Sequence, residues 1–318
     1  MKSREAFETA LGIKENIKKV IVGKDETITL LLTALLSGGH VLLEDMPGTG
    51  KTVLAKSLAR SLDAPYRRIQ FTPDLLPSDV TGLNFYSQKE SEFIWREGPV
   101  FTSVLLADEI NRATPRTQAS LLECMEERQV TVDGVTRVLP ELFFVIATQN
   151  PLETAGTYPL PEAQLDRFFM MLSLGLATRD EEKRIMERFL SSSPLESLSS
   201  VCSMENILAL KKAAERVFVH PALISYIADL IAATREKGNG MSGVSTRGTL
   251  ALLRGARSHA LLEGRDYVVP EDIKAIAVPV LAHRVASERG ILDRRNGEKL
   301  IERILASTTV PTEDWSRK

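Results

Sequence analysis

Short apolar runs alternate with helical periodicity over the first 178 residues of the chain. Apolar residues recurring three or four positions apart indicate helices at 4–20, 25–37, 51–62 and 115–127. The intervening runs have the length of strands and lie at 40–43, 68–71, 104–109, 141–148 and 168–174. Runs that are apolar throughout are typical of a parallel sheet with both faces covered. The pattern predicts a three-layer α/β domain with a five-stranded, mostly parallel sheet.

Two hairpins are predicted between these strands. The first joins residues 83–86 to 93–95 through a long polar tip, and the second joins 129–132 to 135–138 through Asp133-Gly134. Asp-Gly is a strong signal for a two-residue hairpin turn, because these residues tolerate a positive φ. We expect the aromatic residues of the first hairpin to pack on their own domain rather than to contact a substrate, namely Phe85, Phe93 and Trp95.

From Thr178 onward the sequence predicts helices only. A charged helix at 179–190 precedes the Ser-rich stretch 191–203, which is the best candidate for a linker. Further helices are expected at 205–217, 221–237, 246–263, 270–286 and 298–306, with Gly238-Asn239-Gly240 and Gly264 between them. The chain therefore divides into an α/β domain at 1–178, a connection at 179–204 and an all-α domain at 205–318.

Three helix starts carry distinct capping signals. Asp25 and Thr114 have a side-chain oxygen that can accept a hydrogen bond from the first helical turn. Val269 precedes Pro270 at the start of another helix but has no such oxygen, a loss of about 1 kcal/mol.

Composition narrows the class of protein. The 318 residues are 43% hydrophobic and 26% charged, as in ordinary globular proteins, and the formal net charge is −2. Without a basic excess to neutralise phosphates, no nucleic-acid partner is expected. The cysteines Cys124 and Cys202 are far apart, and the sequence shows neither a signal peptide nor a long uninterrupted apolar stretch. We therefore expect a cytoplasmic protein that does not insert into a membrane.

A glycine-rich turn lies between the first apolar strand and a helix. In such an arrangement, backbone N–H groups and the helix dipole attract phosphate. Lys51 is expected to reach the β- and γ-phosphates, and the Thr52 hydroxyl to bind Mg²⁺. The segment 44–53 has the sequence EDMPGTGKTV, and its candidate nucleotide ligands are Met46, Pro47, Gly48, Thr49, Gly50, Lys51, Thr52 and Val53.

One position departs from the general phosphate-loop motif, because Asp45 stands where the motif has its first glycine. Asp tolerates a left-handed backbone better than most residues, so we expect the turn to form and nucleotide binding to be retained. The sequence leaves open what this replacement does to the affinity.

Polar residues end two of the apolar strands. Asp108 is expected to hold Mg²⁺ through water, and Glu109 to polarise the attacking water. Without the phosphate loop, the pair would be more typical of solvated carboxylates at a strand end. Asn150 ends the next strand, where side chains border the ligand crevice of a parallel sheet. It is a candidate for orienting the water, with a loop cap before Pro151 as the structural alternative.

Two arginines are candidates for contacting phosphate. Arg167 precedes the last strand, where a surface charge is the commoner role and a finger reaching a neighbouring subunit's γ-phosphate is the functional alternative. Arg247 opens a helix of the second domain, although the helix dipole disfavours a cation there. That cost is consistent with a role directed at a ligand.

Taken together, these motifs resemble the MoxR family of AAA+ ATPases over nearly the whole chain. The resemblance implies an αβα core with a helical lid, with ATP and Mg²⁺ bound at their junction and between the subunits of a homo-oligomeric ring, most often a hexamer. The matching segments are 44–52, 105–113 (LLADEINRA), 117–127 (TQASLLECMEE), 147–152 (ATQNPL), 159–168 (PLPEAQLDRF), 243–253 and 264–279.

The resemblance also implies roles for individual residues. Val22 and Gly23 would lie near the adenine, Asn150 would be sensor 1, Arg167 the arginine finger and Arg247 the sensor 2 arginine. Members of this family are thought to act as chaperones on proteins with von Willebrand factor A domains, in maturation, metal insertion or complex assembly. The metal motif of that domain, D-x-S-x-S, does not occur here, so the client would be a separate chain.

Three functions remain open at this stage. The leading hypothesis is an ATPase that remodels a protein client. A nucleic-acid or chelatase-like motor of a related clade is the second, and the acidic balance of the chain weighs against it. The third is a nucleotide-switched scaffold with negligible turnover. Neither the client nor the ring size can be identified from the sequence.

Overall fold

A parallel sheet of five strands forms the centre of the first domain. The computed structural model describes residues 3–151, 156–190, 193–236, 243–285 and 294–316. The sheet has the order β2-β5-β8-β1-β9, and every pairing within it is parallel. Its strands are β1 (Val41–Glu44), β2 (Tyr66–Gln70), β5 (Val104–Asp108), β8 (Phe144–Gln149) and β9 (Met170–Leu172). The predicted fold class is confirmed.

Helices cover both faces of this sheet. Along β1 the side chains alternate: Val41 and Leu43 belong to one apolar cluster, and Leu42 belongs to the other. Both clusters are buried, which explains why the strand is apolar at consecutive positions. The helices of this domain are α1 (Ser3–Lys18), α2 (Asp25–Leu36), α3 (Lys51–Ser61), α4 (Pro77–Thr81), α5 (Pro115–Glu127) and α6 (Glu162–Leu165).

Both predicted hairpins are present. The first consists of β3 (Gly82–Ser87) and β4 (Glu92–Glu97), and the second of β6 (Gln129–Val132) and β7 (Val135–Val138). Asp133 and Gly134 have φ values of 52° and 75°, the left-handed pair that the turn requires. The hairpins touch each other, because the Arg137 guanidinium lies 3.9 Å from the ring centroid of Trp95.

The second domain is helical and packs on the first. The larger apolar cluster contains Leu35 of α2 and Val41 of β1 together with Leu252 and Ile276 from the second domain. A shared core therefore fixes the helices of the second domain on the sheet. They are α8 (Met204–Ala214), α9 (Pro221–Thr234), α10 (Thr246–Leu262), α11 (Pro270–Leu281) and α12 (Arg294–Ser307). The preceding helix, α7 (Arg179–Phe189), lies in the predicted connection and contributes none of its residues to this cluster.

Some predicted boundaries change. The predicted ends at Lys237 and Ala286, the turn at 238–240 and the first two residues of the linker 191–203 lie outside the described residues. Asp25 is the first residue of α2 rather than its cap, which is Lys24, and Thr114 precedes α5 without a side-chain capping bond. Val269 has no side-chain oxygen to cap its helix, but the loss of helix stability is offset in part, because the Val269 N–H donates to the Asp272 carboxylate at 2.8 Å.

No helix among the described residues is both long enough and apolar enough to cross a membrane.

Candidate nucleotide-binding site

The phosphate loop connects the end of β1 to the start of α3. Gly48 and Gly50 have φ values of 86° and 92°, a left-handed conformation that strains residues with a side chain. Apart from the adjoining residues of the chain, no described atom lies within 4 Å of the point where a Cβ on either glycine would stand. The N-terminus of α3 has no side-chain cap, so its first N–H groups are available to a ligand.

Lys51 folds back over this loop. Its ammonium group donates to the backbone carbonyl oxygens of Asp45 at 2.7 Å and Met46 at 3.4 Å. Both acceptors are neutral and belong to the loop itself. A phosphate is therefore a stronger partner for this cation than its present ones.

Asp45 has a role that the sequence did not reveal. It is not among the residues with positive φ, so left-handed tolerance is not the reason that Asp is accommodated here. Its carboxylate is buried and accepts hydrogen bonds from Ser173 Oγ at 2.6 Å, Leu174 N at 2.7 Å and Gly175 N at 3.0 Å. The side chain ties the phosphate loop to the segment that follows β9.

The same segment leads toward Val22 and Gly23. Val22 is buried, and Gly23 has a φ of 72°. A Cβ on Gly23 would stand 1.7 Å from Glu181 Oε1 at the start of α7, so any other residue would be strained by the positive φ and would displace the Glu181 side chain. Lys24 also donates to the Glu181 carboxylate at 3.5 Å. The two residues assigned to the adenine thus adjoin the chain that Asp45 anchors.

Asp108 and Glu109 lie beside the phosphate loop at the same edge of the sheet. Thr148, on the neighbouring strand β8, donates to Asp108 Oδ1 at 2.6 Å and accepts from the Glu109 N–H at 2.9 Å. Thr148 is also in register with Leu43 of β1, one residue before Glu44. A single buried threonine therefore links the acidic pair to the strand that carries the loop. We call this edge the phosphate edge, defined by the loop 45–52, Asp108, Glu109 and Asn150.

Both carboxylates of the pair have partners. Arg68 donates to Asp108 Oδ2 at 2.7 Å, while Gln70 donates to Glu109 Oε2 at 2.7 Å and Arg112 lies 3.0 Å from the same oxygen. Glu109 itself has a φ of 55°, which is uncommon for a non-glycine residue and orients its side chain away from the strand direction. Arg68 and Gln70 on β2 escaped the sequence analysis, because nothing in a short strand indicates which neighbour its polar side chains meet.

Asn150 follows β8 directly and is partly exposed at the phosphate edge. Its neighbour Gln149 donates to Glu44 Oε1 at 2.8 Å, and the Asp45 N–H donates to the Gln149 carbonyl at 3.3 Å. The end of β8 is thus bonded to the start of the loop. The structure brings Asn150, the loop and the acidic pair together.

Arg167 and Arg247 lie at the other edge. Arg167 Nε is 3.0 Å from Glu126 Oε2, and Arg247 forms a close ion pair with the other oxygen of Glu126 and lies 3.5 Å from Asp166 Oδ2. Asp166 also accepts from Arg284 Nε at 2.8 Å. Burial lowers the pKa of Arg284 to about 10, although the neighbouring Asp166 opposes this shift. We call these three arginines and two acids the cation network.

The cation network is remote from the phosphate loop of its own chain. Arg167 comes three residues before Met170, which is paired with Val41 at the start of β1, whereas the loop begins after Glu44 at the end of that strand. The four-residue strand places about 13 Å between the two edges. The two predicted groups of phosphate ligands therefore occupy opposite edges of one sheet. Glu126, Asp166 and Arg284 were missed, because their contacts span more than 35 residues of sequence and join two domains.

Family models match both domains of the chain. The model described as ATPase family associated with various cellular activities (AAA) matches residues 40–170. The model described as AAA lid domain matches residues 232–304.

Similar proteins extend over almost the whole chain. Uncharacterized protein YeaC of Bacillus subtilis (strain 168) is 46% identical over 304 residues, which cover 94% of each chain. Chaperone MoxR1 of Mycobacterium tuberculosis is 41% identical and covers 93% of this chain and 80% of its own. The crystal structure of a provisionally assigned ATPase from Cytophaga hutchinsonii has a TM-score of 0.88 at 38% identity, over 98% of this chain and 97% of that one.

Proposed function

Because this chain belongs to the MoxR family of AAA+ ATPases, we propose that it hydrolyses ATP with Mg²⁺ only when it is assembled into a ring. The observation that supports this proposal is the placement of the cation network opposite the phosphate edge. One chain carries both halves of a phosphoryl-transfer site but keeps them on different edges. In a ring, the cation network of one subunit faces the phosphate edge of the next, and each interface holds one complete site.

The phosphate edge supplies the nucleotide and metal ligands. The N–H groups of the loop and Lys51 hold the phosphates, and Val22 and Gly23 border the base. Thr52 and Asp108 offer the oxygen donors that Mg²⁺ prefers, so their chemistry fits this ion. Bound Mg²⁺ supplies charge neutralisation at the phosphates. Within the chain, Glu109 accepts the proton of the attacking water and Asn150 orients that water.

The opposite edge of the sheet carries the cation network, and we call it the cation edge. It supplies charge stabilisation to the site of the neighbouring subunit. Arg167 and Arg247 share one carboxylate, Glu126, which keeps both guanidinium groups at the surface in a defined position. Their side chains are 32% and 42% exposed, so a neighbouring subunit can reach them. A phosphate carries more negative charge than Glu126 and competes with it for these donors.

The cycle of hydrolysis acts on a separate protein. The relative from Mycobacterium tuberculosis is named a chaperone, and the family resemblance suggests a client with a von Willebrand factor A domain that is remodelled, matured, loaded with metal or assembled. Phe85 and Phe93 of the first hairpin are 42% and 73% exposed, so the expectation that they pack on their own domain is wrong for these two residues. Together with Tyr86, which is 55% exposed, they are a candidate contact surface for the client. We place this activity in the cytoplasm, in keeping with two free cysteines.

Mixing two inactive variants tests the trans arrangement. Glu109→Gln keeps Arg167 but lacks the proton acceptor, and Arg167→Ala keeps Glu109 but lacks the finger. Each variant alone is expected to bind ATP and to hydrolyse it very slowly. Mixed rings contain interfaces that combine intact Glu109 with a neighbour's intact Arg167, so turnover per subunit is expected to recover in part and to rise with protein concentration.

The matched control is Arg216→Ala, which removes an exposed arginine outside both edges and is expected to hydrolyse ATP at the wild-type rate. Mixtures that stay inactive although both variants co-assemble would show that Arg167 does not act across subunits. Wild-type protein that binds ATP but shows negligible turnover at every concentration would favour the nucleotide-switched scaffold. Stimulation of hydrolysis by nucleic acid would favour the motor of a related clade.

A further inference from the structure

A cavity of about 590 Å³ lies between the two domains, beyond the groups assigned to ATP. Its walls come from the end of α2, the base of the second hairpin, α8 and α10. This volume falls within the range of small-molecule sites. Six of its fourteen lining residues are charged: the cations Arg128, Lys211, Arg254 and Arg257, opposed by Glu141 and Glu215.

The four cations of this wall lack ionic partners. Among the described residues, none of them forms an ion pair within 4 Å of a carboxylate, although two glutamates border the same space. Arg128 donates to the Gly38 carbonyl at 2.7 Å. Arg254 donates to the Leu250 carbonyl at 3.4 Å, and its guanidinium lies 6.0 Å from the centroid of the Phe169 ring. Arg257 Nε is buried without a hydrogen-bond partner among the described atoms. Arg128, Lys211 and Arg257 are partly buried, whereas Arg254 is exposed to solvent. An anion in the cavity would offset the cost of partly burying the first three charges.

Two of the cationic groups converge on one point. Arg128 Nη2 and Lys211 Nζ each lie 3.8 Å from the position where a Cβ on Gly38 would stand, so at most twice that distance separates them. A single tetrahedral anion spans such a gap and bonds to both. Burial is the main reason that the pKa of Arg128 and the pKa of Lys211 are lowered. The charge of Arg254 also lowers the pKa of Arg128, and the charge of Arg128 lowers that of Lys211, which Glu141 and Glu215 oppose. A bound anion would relieve the repulsion between these cations.

From this geometry we infer that the cavity is a binding site for a phosphate-bearing anion, held by Arg128, Lys211, Arg254 and Arg257. The planar guanidinium groups suit the oxygen pairs of phosphate, and Lys211 adds a point charge. The hydroxyls of Ser37 and Ser258, bonded to each other at 2.8 Å, also line the wall and add neutral donors.

The site has a physical connection to the cation network. Arg254 and Arg257 lie on α10, whose second residue is Arg247. Arg128 and Arg254 also line the adjoining cavity that contains Arg167 and Arg247. The anion can thus be a free small molecule or the nucleotide of a neighbouring subunit. The second source rests on the proposed trans arrangement, and the first does not.

Pyrophosphate is the probe that tests the site. The protein is the full chain carrying Lys51→Ala, which weakens anion binding at the phosphate loop. Pyrophosphate affinity is measured by isothermal titration calorimetry in this background. It is then measured with Lys211→Met and Arg257→Met added, a pair of substitutions that we call the cavity variant. Methionine keeps the apolar stem and removes the charge. The matched control adds Lys212→Met and Arg216→Met, which remove the same charge at exposed positions nearby.

The expected result is saturable binding that weakens about tenfold or more in the cavity variant and stays unchanged in the control. Equal weakening in both variants would show that only overall charge matters, and it would overturn the site. The site would also be overturned by two results together: no pyrophosphate binding in the Lys51→Ala background, and a wild-type KM for ATP in the cavity variant.

A second measurement needs no cavity variant. Phenylglyoxal labelling of the Lys51→Ala chain, mapped by peptide mass spectrometry, is expected to show pyrophosphate protecting Arg128 and Arg257 but not Arg216. Unprotected Arg128 and Arg257 at saturating pyrophosphate would place the bound anion elsewhere.

The two sources give different outcomes. Binding in the Lys51→Ala background, where no subunit carries nucleotide, identifies a free anion. If pyrophosphate does not bind but the cavity variant of the otherwise wild-type chain raises the KM for ATP several-fold, the phosphate belongs to a neighbour's nucleotide. If Arg167 proved not to act across subunits, pyrophosphate binding in the Lys51→Ala background would still identify a free anion in the cavity.

Discussion

The two edges of the sheet handle charge in opposite ways. At the phosphate edge, Lys51 is bonded to neutral carbonyl oxygens of its own loop, so its charge is available to a ligand. At the cation edge, Arg167 and Arg247 are paired with Glu126 within the same chain. Under the proposed function, the first edge binds an anion directly, whereas the arginines of the second edge exchange Glu126 for the phosphate of a neighbouring subunit.

The largest effect is expected from Lys51→Ala. This variant removes the uncommitted cation, and charged hydrogen bonds contribute about 1.5–3 kcal/mol, so ATP affinity should fall about 10–100-fold. Equilibrium titration with a fluorescent ATP analogue measures it, and Lys56→Ala, an exposed lysine on the same helix, is the control. Unchanged affinity in Lys51→Ala would refute the placement of the nucleotide on this loop.

Asp45→Ala tests whether the phosphate edge is rigid before the ligand arrives. It leaves the buried Leu174 N–H without its acceptor, at about 1–3 kcal/mol, whereas the exposed Gly175 N–H keeps Ser173 Oγ as an acceptor at 3.2 Å. Chemical denaturation should therefore show a loss of about 1–3 kcal/mol, with weaker ATP binding, while Asp229→Ala on an exposed helix face shows neither.

The informative comparison is Asp45→Gly, which restores the residue of the general motif. Because Asp45 does not have a positive φ, glycine brings no conformational benefit and should cost as much as alanine. Stability equal to wild type in Asp45→Gly would mean that the carboxylate is dispensable.

At the cation edge, His40 makes stability depend on pH. Its Nδ1 accepts from the Val145 N–H and its Nε2 donates to the Met125 carbonyl, so the ring must be neutral. Burial, followed by the charge of Arg128, lowers its pKa from 6.5 to about 3. Because the pKa is lower in the folded state, the contribution of His40 to stability is complete above pH 6.5 and is lost as the pH falls from 6.5 to about 3. At pH 5 the loss amounts to about 2 kcal/mol.

Denaturation at pH 7 and pH 5 measures this loss. Among the described residues, the carboxyls with a lowered pKa are Asp74, Asp272 and Glu181. The ordinary pKa is 3.8 for the two aspartates and 4.5 for Glu181, so they contribute mainly below this interval. His40→Gln should flatten the slope between the two pH values. A wild-type slope that persists in His40→Gln would assign the pH dependence to other groups.

The smallest effect is expected from Glu126→Gln. Exposed ion pairs contribute up to about 1 kcal/mol, so stability should change little and ATP turnover should stay within about fivefold of wild type. Glu123→Gln, an exposed glutamate on the same helix, serves as the control. A loss of turnover as large as that of Arg167→Ala would show that Glu126 positions the cations rather than merely holding them between encounters.

The sequence by itself determined the local features of this protein. Five apolar runs gave the strands, Asp133-Gly134 gave the hairpin turn, and the loop at 44–53 with Asp108 and Glu109 marked the phosphate edge. These signals work because periodicity, turn conformation and strand ends depend on residues that are neighbours in the chain.

Only the tertiary structure decided which distant residues meet. Asp45 bonds to a segment about 130 residues away, Arg247 shares Glu126 with Arg167, and Arg128 meets Lys211 across a domain boundary. None of these pairings can be predicted from the periodicity of the sequence, because each depends on how helices and strands pack rather than on neighbouring residues in the chain. The placement of the cations opposite the phosphate loop is likewise a property of a parallel sheet, whose two edges are separated by the length of its strands.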